Sequence, residues 1–273
     1  MLIMGGRPEN RMDKEERMPR IARAVLALFL SGFCSAVSNA AEADLPAARE
    51  EALALYRDGR AAEAAAAFEV LSGKNPADDS LKVWKALAWL EQARQMREEK
   101  NLEYPALVKR SYAVLKPLAG RQSDNPDWYY AMAKAYWLNN RSLKADKALK
   151  KAIFYRPVFP EAWMLLGDLA FEEGVNAPPP PLTGTPVNPL EEGAKRAGDE
   201  YRRVLTTPGL RPDLQAEACY KMGLVESVLR KKTDPARDWW GKAVAAAPGS
   251  WYGKLAQEKL GQGKPVPATG GKR

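Results

Sequence analysis

The stretch that decides the fold runs from Asp127-Trp128-Tyr129-Tyr130-Ala131-Met132-Ala133 to Trp163-Met164-Leu165-Leu166-Gly167 and on to Phe171. Tyr129-x-x-Met132-Ala133 and Trp163-x-x-Leu166-Gly167 repeat one pattern at a separation of 34 residues. A large side chain opens a helix and a small one, Ala133 or Gly167, lets a neighbouring helix come close. Between the two copies Ala145, Leu149 and Ala152 recur at helical spacing, so they share one face and pack back on the first helix. Pro157 ends the second helix, because proline lacks the N–H that the next turn needs.

A helix-turn-helix unit of this period, with these large and small positions, resembles the tetratricopeptide-repeat family. The resemblance implies an all-α fold: a right-handed superhelical solenoid of about five helical hairpins with a C-terminal capping helix. Outward from the central unit, the repeats are expected over about 45–77, 81–126, 127–159, 160–209 and 216–248, with the cap at 250–260. The first has its turn at Asp58-Gly59, then Ala64, Phe68 and Leu71. Its opening is polar, as suits a terminal repeat with one face uncovered. The second opens at Trp84-x-x-Leu87-Ala88, and 45 residues separate Trp84 from Tyr129, a gain of eleven over the regular period. The fourth is interrupted over 175–193, where Pro178 to Pro181, Pro186 and Pro189 predict an extended loop rather than helix. The fifth opens at Cys219-x-x-Met222-Gly223. Residues 261–273, rich in Gly, Pro and Lys, read as a disordered tail.

The chain of 273 residues contains no histidine, so Ser-His-Asp and Cys-His catalysis are excluded together with the commonest metal ligand. No phosphate-binding loop or nucleophile elbow is present. Carboxylate pairs such as Glu98-Glu99, Glu172-Glu173 and Glu191-Glu192 read as solvated surface. No catalytic residue, cofactor or metal site is therefore expected. The net charge is +8, and six Lys/Arg against four Asp/Glu in residues 1–40 leave about +6 for the remainder.

Residues 18–40 read as a secretory signal within a 1–40 N-terminal extension. Arg20 and Arg23 precede the apolar run Ala24 to Phe33 and the small-residue site Ser38-Asn39-Ala40. Cleavage after Ala40 starts the mature chain at Ala41. Residues 1–17 are too charged for such a leader, which places the start of translation at Met12 or Met18. With the leader removed, no stable membrane anchor is expected, and Cys219 is the one remaining cysteine, read as a packing thiol. An exported chain without disulfides points to a periplasm.

In the resembling family, first helices line a concave groove that holds peptides. Here the groove candidates are Lys85 and Trp89; Tyr130, Lys134 and Trp137; Met164, Asp168 and Phe171; and Tyr220. The family's carboxylate clamp has no match, since Met164 and Leu165 stand where its polar partners belong. The expected partner is a protein or peptide segment in the cell envelope, and an exported chain has little nucleic acid to meet. The alternative is a role beside peptidoglycan or polysaccharide machinery, gripping cell-wall glycan with Trp89, Trp137 and Phe171. Ser250-Trp251-Tyr252-Gly253-Lys254-Leu255-Ala256 resembles, over about a dozen residues, the Ser-x-Tyr-Gly-x-x-Ala signature in superhelices of soluble lytic transglycosylases.

Overall fold

The computed structural model describes residues 45–178 and 188–261. The leader, the middle of the proline-rich segment and the tail predicted at 261–273 lie outside them, apart from Gly261. Nearly all described residues belong to the compact unit Ala48–Arg273; Leu45–Ala47 fall in a second unit, Met1–Ala47. Eleven α-helices and no strand occur among the described residues: α1 Leu45–Arg57, α2 Ala61–Lys74, α3 Asp79–Glu98, α4 Tyr104–Leu115, α5 Pro126–Leu138, α6 Ser142–Tyr155, α7 Pro160–Val175, α8 Pro189–Leu205, α9 Pro212–Leu224, α10 Thr233–Ala246 and α11 Trp251–Gly261.

Neighbouring helices pair as antiparallel hairpins: α3 with α4, α5 with α6, α7 with α8, and α9 with α10, with α11 packed on α9 and α10. First helices also touch one another, α3 against α5, α5 against α7 and α7 against α9, which sets them side by side along one wall. The helix starts follow local chemistry. The carboxylate of Asp78 accepts from the N–H of Ser80 and Leu81, and the amide oxygen of Asn125 accepts from Asp127 and Trp128. Such caps supply partners for N–H groups that the first turn otherwise leaves open. Gly59 turns the chain between α1 and α2 with φ +76°, a conformation glycine adopts without strain.

The small residues of the repeat pattern have a visible reason. A Cβ on Gly167 would sit 2.3 Å from the Tyr201 ring, and one on Gly223 would sit 2.2 Å from the Trp240 indole. Each glycine leaves the space in which an aromatic ring of its hairpin partner lies. Ala145, Leu149 and Ala152 are completely buried, as their spacing requires.

Two local features depart from the sequence expectations or add to them. The insertion does not extend to Gly193, because α8 already begins at Pro189. Proline is well suited to the first helical position, where its missing N–H has no partner to lose, and the Asn188 side chain accepts from Leu190 N at 3.1 Å. Gly193 then crosses Gly174 so closely that a Cβ would lie 2.5 Å from the Gly174 Cα. Secondly, α9 continues into a π-helical turn at Val225–Leu229, which buries Val225, Glu226 and Leu229 and which the sequence pattern does not announce.

A candidate binding cavity on the concave wall

The side-by-side first helices, the Asp58-Gly59 turn and α11 enclose a cavity of about 450 Å³. Its walls come from Tyr56, from Glu91, Arg94 and Gln95 of α3, from Tyr130, Lys134 and Trp137 of α5, and from Met164, Leu165 and Asp168 of α7. Leu214 and Glu217 of α9 and Trp251 and Tyr252 of α11 complete it. The two ends of the unit meet at its rim: the Gln95 amide donates to the Gly59 carbonyl at 2.8 Å, and a Cβ on Gly59 would lie 4.0 Å from the Trp251 Cβ.

Ion pairs knit the wall together across helices. Glu91 is the shared acceptor for Arg94 of its own helix and Lys134 of the next. Burial alone would raise the Glu91 carboxyl, but the Arg94 guanidinium and Lys134 ammonium override it and hold the group far below the usual carboxylate range. Lys221 donates to Asp168 and to Glu217, each at 2.7 Å, and the Tyr201 hydroxyl donates to the other Asp168 oxygen at 2.8 Å. Burial works against the Lys221 charge, yet Asp168 and Glu217 raise its pKa well above that of an ordinary lysine. A third link joins three first helices: the Trp137 indole donates to Glu172 at 2.9 Å, Arg97 pairs with the same carboxylate at 3.3 Å, and Arg97 lies over the Trp137 ring. Glu172 is thus no solvated surface acid; burial raises its pKa despite Arg97.

The lining holds six carboxylates (Asp58, Glu91, Glu161, Asp168, Asp213, Glu217) and four cations (Arg57, Arg94, Lys134, Arg211). Lys221 neutralises Asp168 and Glu217 from behind the wall, so the charges around the cavity nearly balance. Among the described residues, neither the Tyr252 hydroxyl nor the Trp251 indole N–H has a hydrogen-bond partner, and both atoms are buried.

Tyr252 is set in place by the segment singled out in the sequence. The Ser250 hydroxyl donates to the Ala247 carbonyl at 2.7 Å and accepts from Gly253 N at 3.1 Å, which starts α11. A Cβ on Gly253 would lie 2.0 Å from the Ala247 oxygen, so glycine is needed there. The Tyr252 ring is then held between Arg94, Lys221 and Tyr220. Here the Ser-x-Tyr-Gly residues build a helix start and present one ring to the cavity.

The predicted groove residues divide. Tyr130, Lys134, Trp137, Met164 and Asp168 line the cavity. Lys85 and Trp89 do not: Trp89 packs with Ala64 and Phe68 of α2 beneath the Arg110 guanidinium, and Lys85 pairs with Glu69. Phe171 packs against the cluster of Trp163, Ala194 and Tyr201, and Tyr220 against Trp240 and Tyr252. Cys219 is buried, and that burial pushes its thiol up to about 11. Trp89 misleads because α3 buries Leu81, Val83, Ala86, Leu87, Ala88, Leu90 and Ala93 around most of its circumference, so apolar periodicity marks no single face. Sequence reasoning misses Glu91, Arg94, Glu217 and Lys221 for a related reason. Charged residues at helical spacing normally read as solvated, and only the stacking of the helices brings these inside.

Comparison with solved structures bears on the architecture. A thermophilic TPR protein from Thermus thermophilus superposes with a TM-score of 0.56 and 17% identity, covering 80% of this chain and 99% of that one. The fold is a tetratricopeptide-repeat solenoid. The MamA protein also aligns, at a TM-score of 0.41 and 14% identity over 81% of this chain and 96% of that one. No protein-family model matches the chain, and no curated protein does.

Proposed function

We propose that this solenoid is a non-catalytic scaffold that holds an extended segment of a partner protein in its concave cavity. The observation that carries the reading is the cavity of about 450 Å³ itself, lined by first-helix side chains, by charges mostly paired with one another and by the rings of Tyr56, Tyr130, Trp137, Trp251 and Tyr252. Aromatic rings and paired charges on a concave surface suit an extended segment, whose alternate side chains can lie against the rings. Charges that nearly balance and pair with one another favour a segment of low net charge. Catalysis is disfavoured because every resolved shift among the lining groups moves away from neutrality: Glu91 and Glu217 fall, Lys134 and Arg94 rise, and burial takes Tyr56 up to about 12. Of the three rings named for the glycan alternative, Trp137 lines the cavity, while Trp89 and Phe171 lie outside it.

The place of action we infer is the periplasm, in envelope assembly, on the strength of Arg20, Arg23, the Ala24 to Phe33 run and the site before Ala41. N-terminal sequencing of the exported protein tests that part; a chain beginning at Ala41 is the expected product, and retention of residues 18–40 contradicts it. For the cavity, the test is capture of envelope proteins by the wild type and by Trp251→Phe/Tyr252→Phe. These changes keep an aromatic ring at each position, shrink the Trp251 indole to a phenyl ring and remove the Tyr252 hydroxyl. Loss of the captured partner supports the reading, and equal capture by the double variant sinks it.

A further inference from the structure

Helix α6 carries an exposed stripe on the side away from its buried residues. Leu143, Lys147, Lys150 and Phe154 follow one another at steps of four, three and four, so they line up along about 16 Å of one face. Leu143 is 80% exposed and Phe154 77%, with Val158 at 61% just beyond the helix. Lys144 and Lys151 flank the stripe and are exposed too. The one acid on the helix, Asp146, pairs with Lys150, which leaves α6 with a surplus of three positive charges. Arg156 adds none, since Asp127 takes it at 2.8 and 2.9 Å.

The end of the stripe is braced from behind. Tyr155 stacks on Tyr129 with ring centres 5.6 Å apart and planes 9° from parallel, and Tyr129 is fixed by its hydroxyl bond to the Ser123 carbonyl. Phe154 stands edge to face on Tyr155 at 5.2 Å. The backing holds the phenyl ring outward, where no described residue covers it. Isolated exposed apolar residues are ordinary, but three within Phe154 to Val158 beside a row of lysines form a patch.

We infer that this α6 face docks on an anionic lipid bilayer. The lysines meet the negative headgroups while Phe154, Leu143 and Val158 enter the boundary below them. Each lysine adds attraction over roughly a Debye length, and each apolar side chain adds burial that a purely charged partner would not reward. The face lies on a second helix of its hairpin, and none of its residues lines the concave cavity. The solenoid can thus rest on a membrane and keep the cavity available.

The test uses the full chain on vesicles of phosphatidylglycerol with phosphatidylcholine, compared with phosphatidylcholine alone. Leu143→Ser/Phe154→Ser and Lys147→Glu/Lys151→Glu should each reduce partitioning onto the anionic vesicles by at least about tenfold. Their melting temperatures should stay within about 2 °C of wild type, as for exposed positions. The apolar run Ala24 to Phe33 is the same in every variant, so a site-specific probe isolates the patch. In a Cys34→Ser background, a solvent-sensitive fluorophore on Phe154→Cys should shift to the blue on anionic vesicles, and one on Leu102→Cys should not. A label at 154 that stays in water overturns the proposal whatever the leader does. So does equal binding to neutral vesicles. A large fall in melting temperature for the Ser variant would show Phe154 covered by another part of the chain. Altered self-association without loss of vesicle binding would make the face a contact between copies. Either result refutes lipid docking.

Discussion

Glu91 shows how a single side chain sets the character of the concave wall. Arg94 and Lys134 converge on it, each no more than 5% exposed, and their charges are acceptable inside only because that carboxylate neutralises them. Glu91→Gln should therefore cost about 3–5 kcal/mol in urea unfolding, the usual result of stranding buried charge. The same pair sets an acid limit. Because the folded Glu91 pKa lies below its unfolded value, its stabilisation is present above about pH 4.3 and is lost as pH falls through the folded pKa. Glu217, lowered in the same direction, adds to this, whereas Glu172, raised by burial, opposes it. Stability should fall from about pH 4.3 downward, and the Gln variant should show a shallower acid dependence. Lys134 and Lys221, both raised, set the opposite boundary: their stabilisation is present below about pH 10.4 and is lost at more alkaline pH.

Elements were legible wherever a steric pattern repeated. Gly167 and Gly223 announce a close helix pair because only a missing Cβ admits Tyr201 and Trp240, and the order of large and small residues is written in the sequence. Gly223→Ala should cost about 1–3 kcal/mol and Gly167→Ala a similar amount, read by thermal melts, as overpacking does. The same pattern makes Trp163 a wedge between hairpins, and it is 6% exposed in the cluster with Tyr201 and Met222. Trp163→Ala should cost about 3–5 kcal/mol in chemical denaturation. The π-helical turn and the facing of Trp89 were not legible. A helix buried on most sides gives no period to follow, and a register change of one residue carries no composition signal. The cavity was half legible: Tyr130, Lys134 and Trp137 lie on the first helix of the regular repeat, while Tyr252 arrives from a capping helix more than a hundred residues away.

At the scale of the whole unit, what distinguishes this solenoid from a simple row of hairpins is that its first turn and its last helix share one cavity. Gly59 and Trp251 border it from opposite ends of the sequence, and each repeat between them contributes part of the wall. The occupant is then defined by the assembled unit rather than by any one repeat, which accounts for charges that pair between helices along the wall. A partner held there must touch residues that are far apart in sequence, and that is the central claim. Photo-crosslinking tests it most directly, with a benzophenone side chain placed at Leu214 of α9 or Met164 of α7, both lining the cavity, or at Leu102, which is 87% exposed outside it. The expected result is one partner crosslinked from Leu214 and from Met164 at nearby positions of its sequence, with nothing from Leu102. Crosslinks from Leu102 alone, or from neither cavity position, would contradict the account.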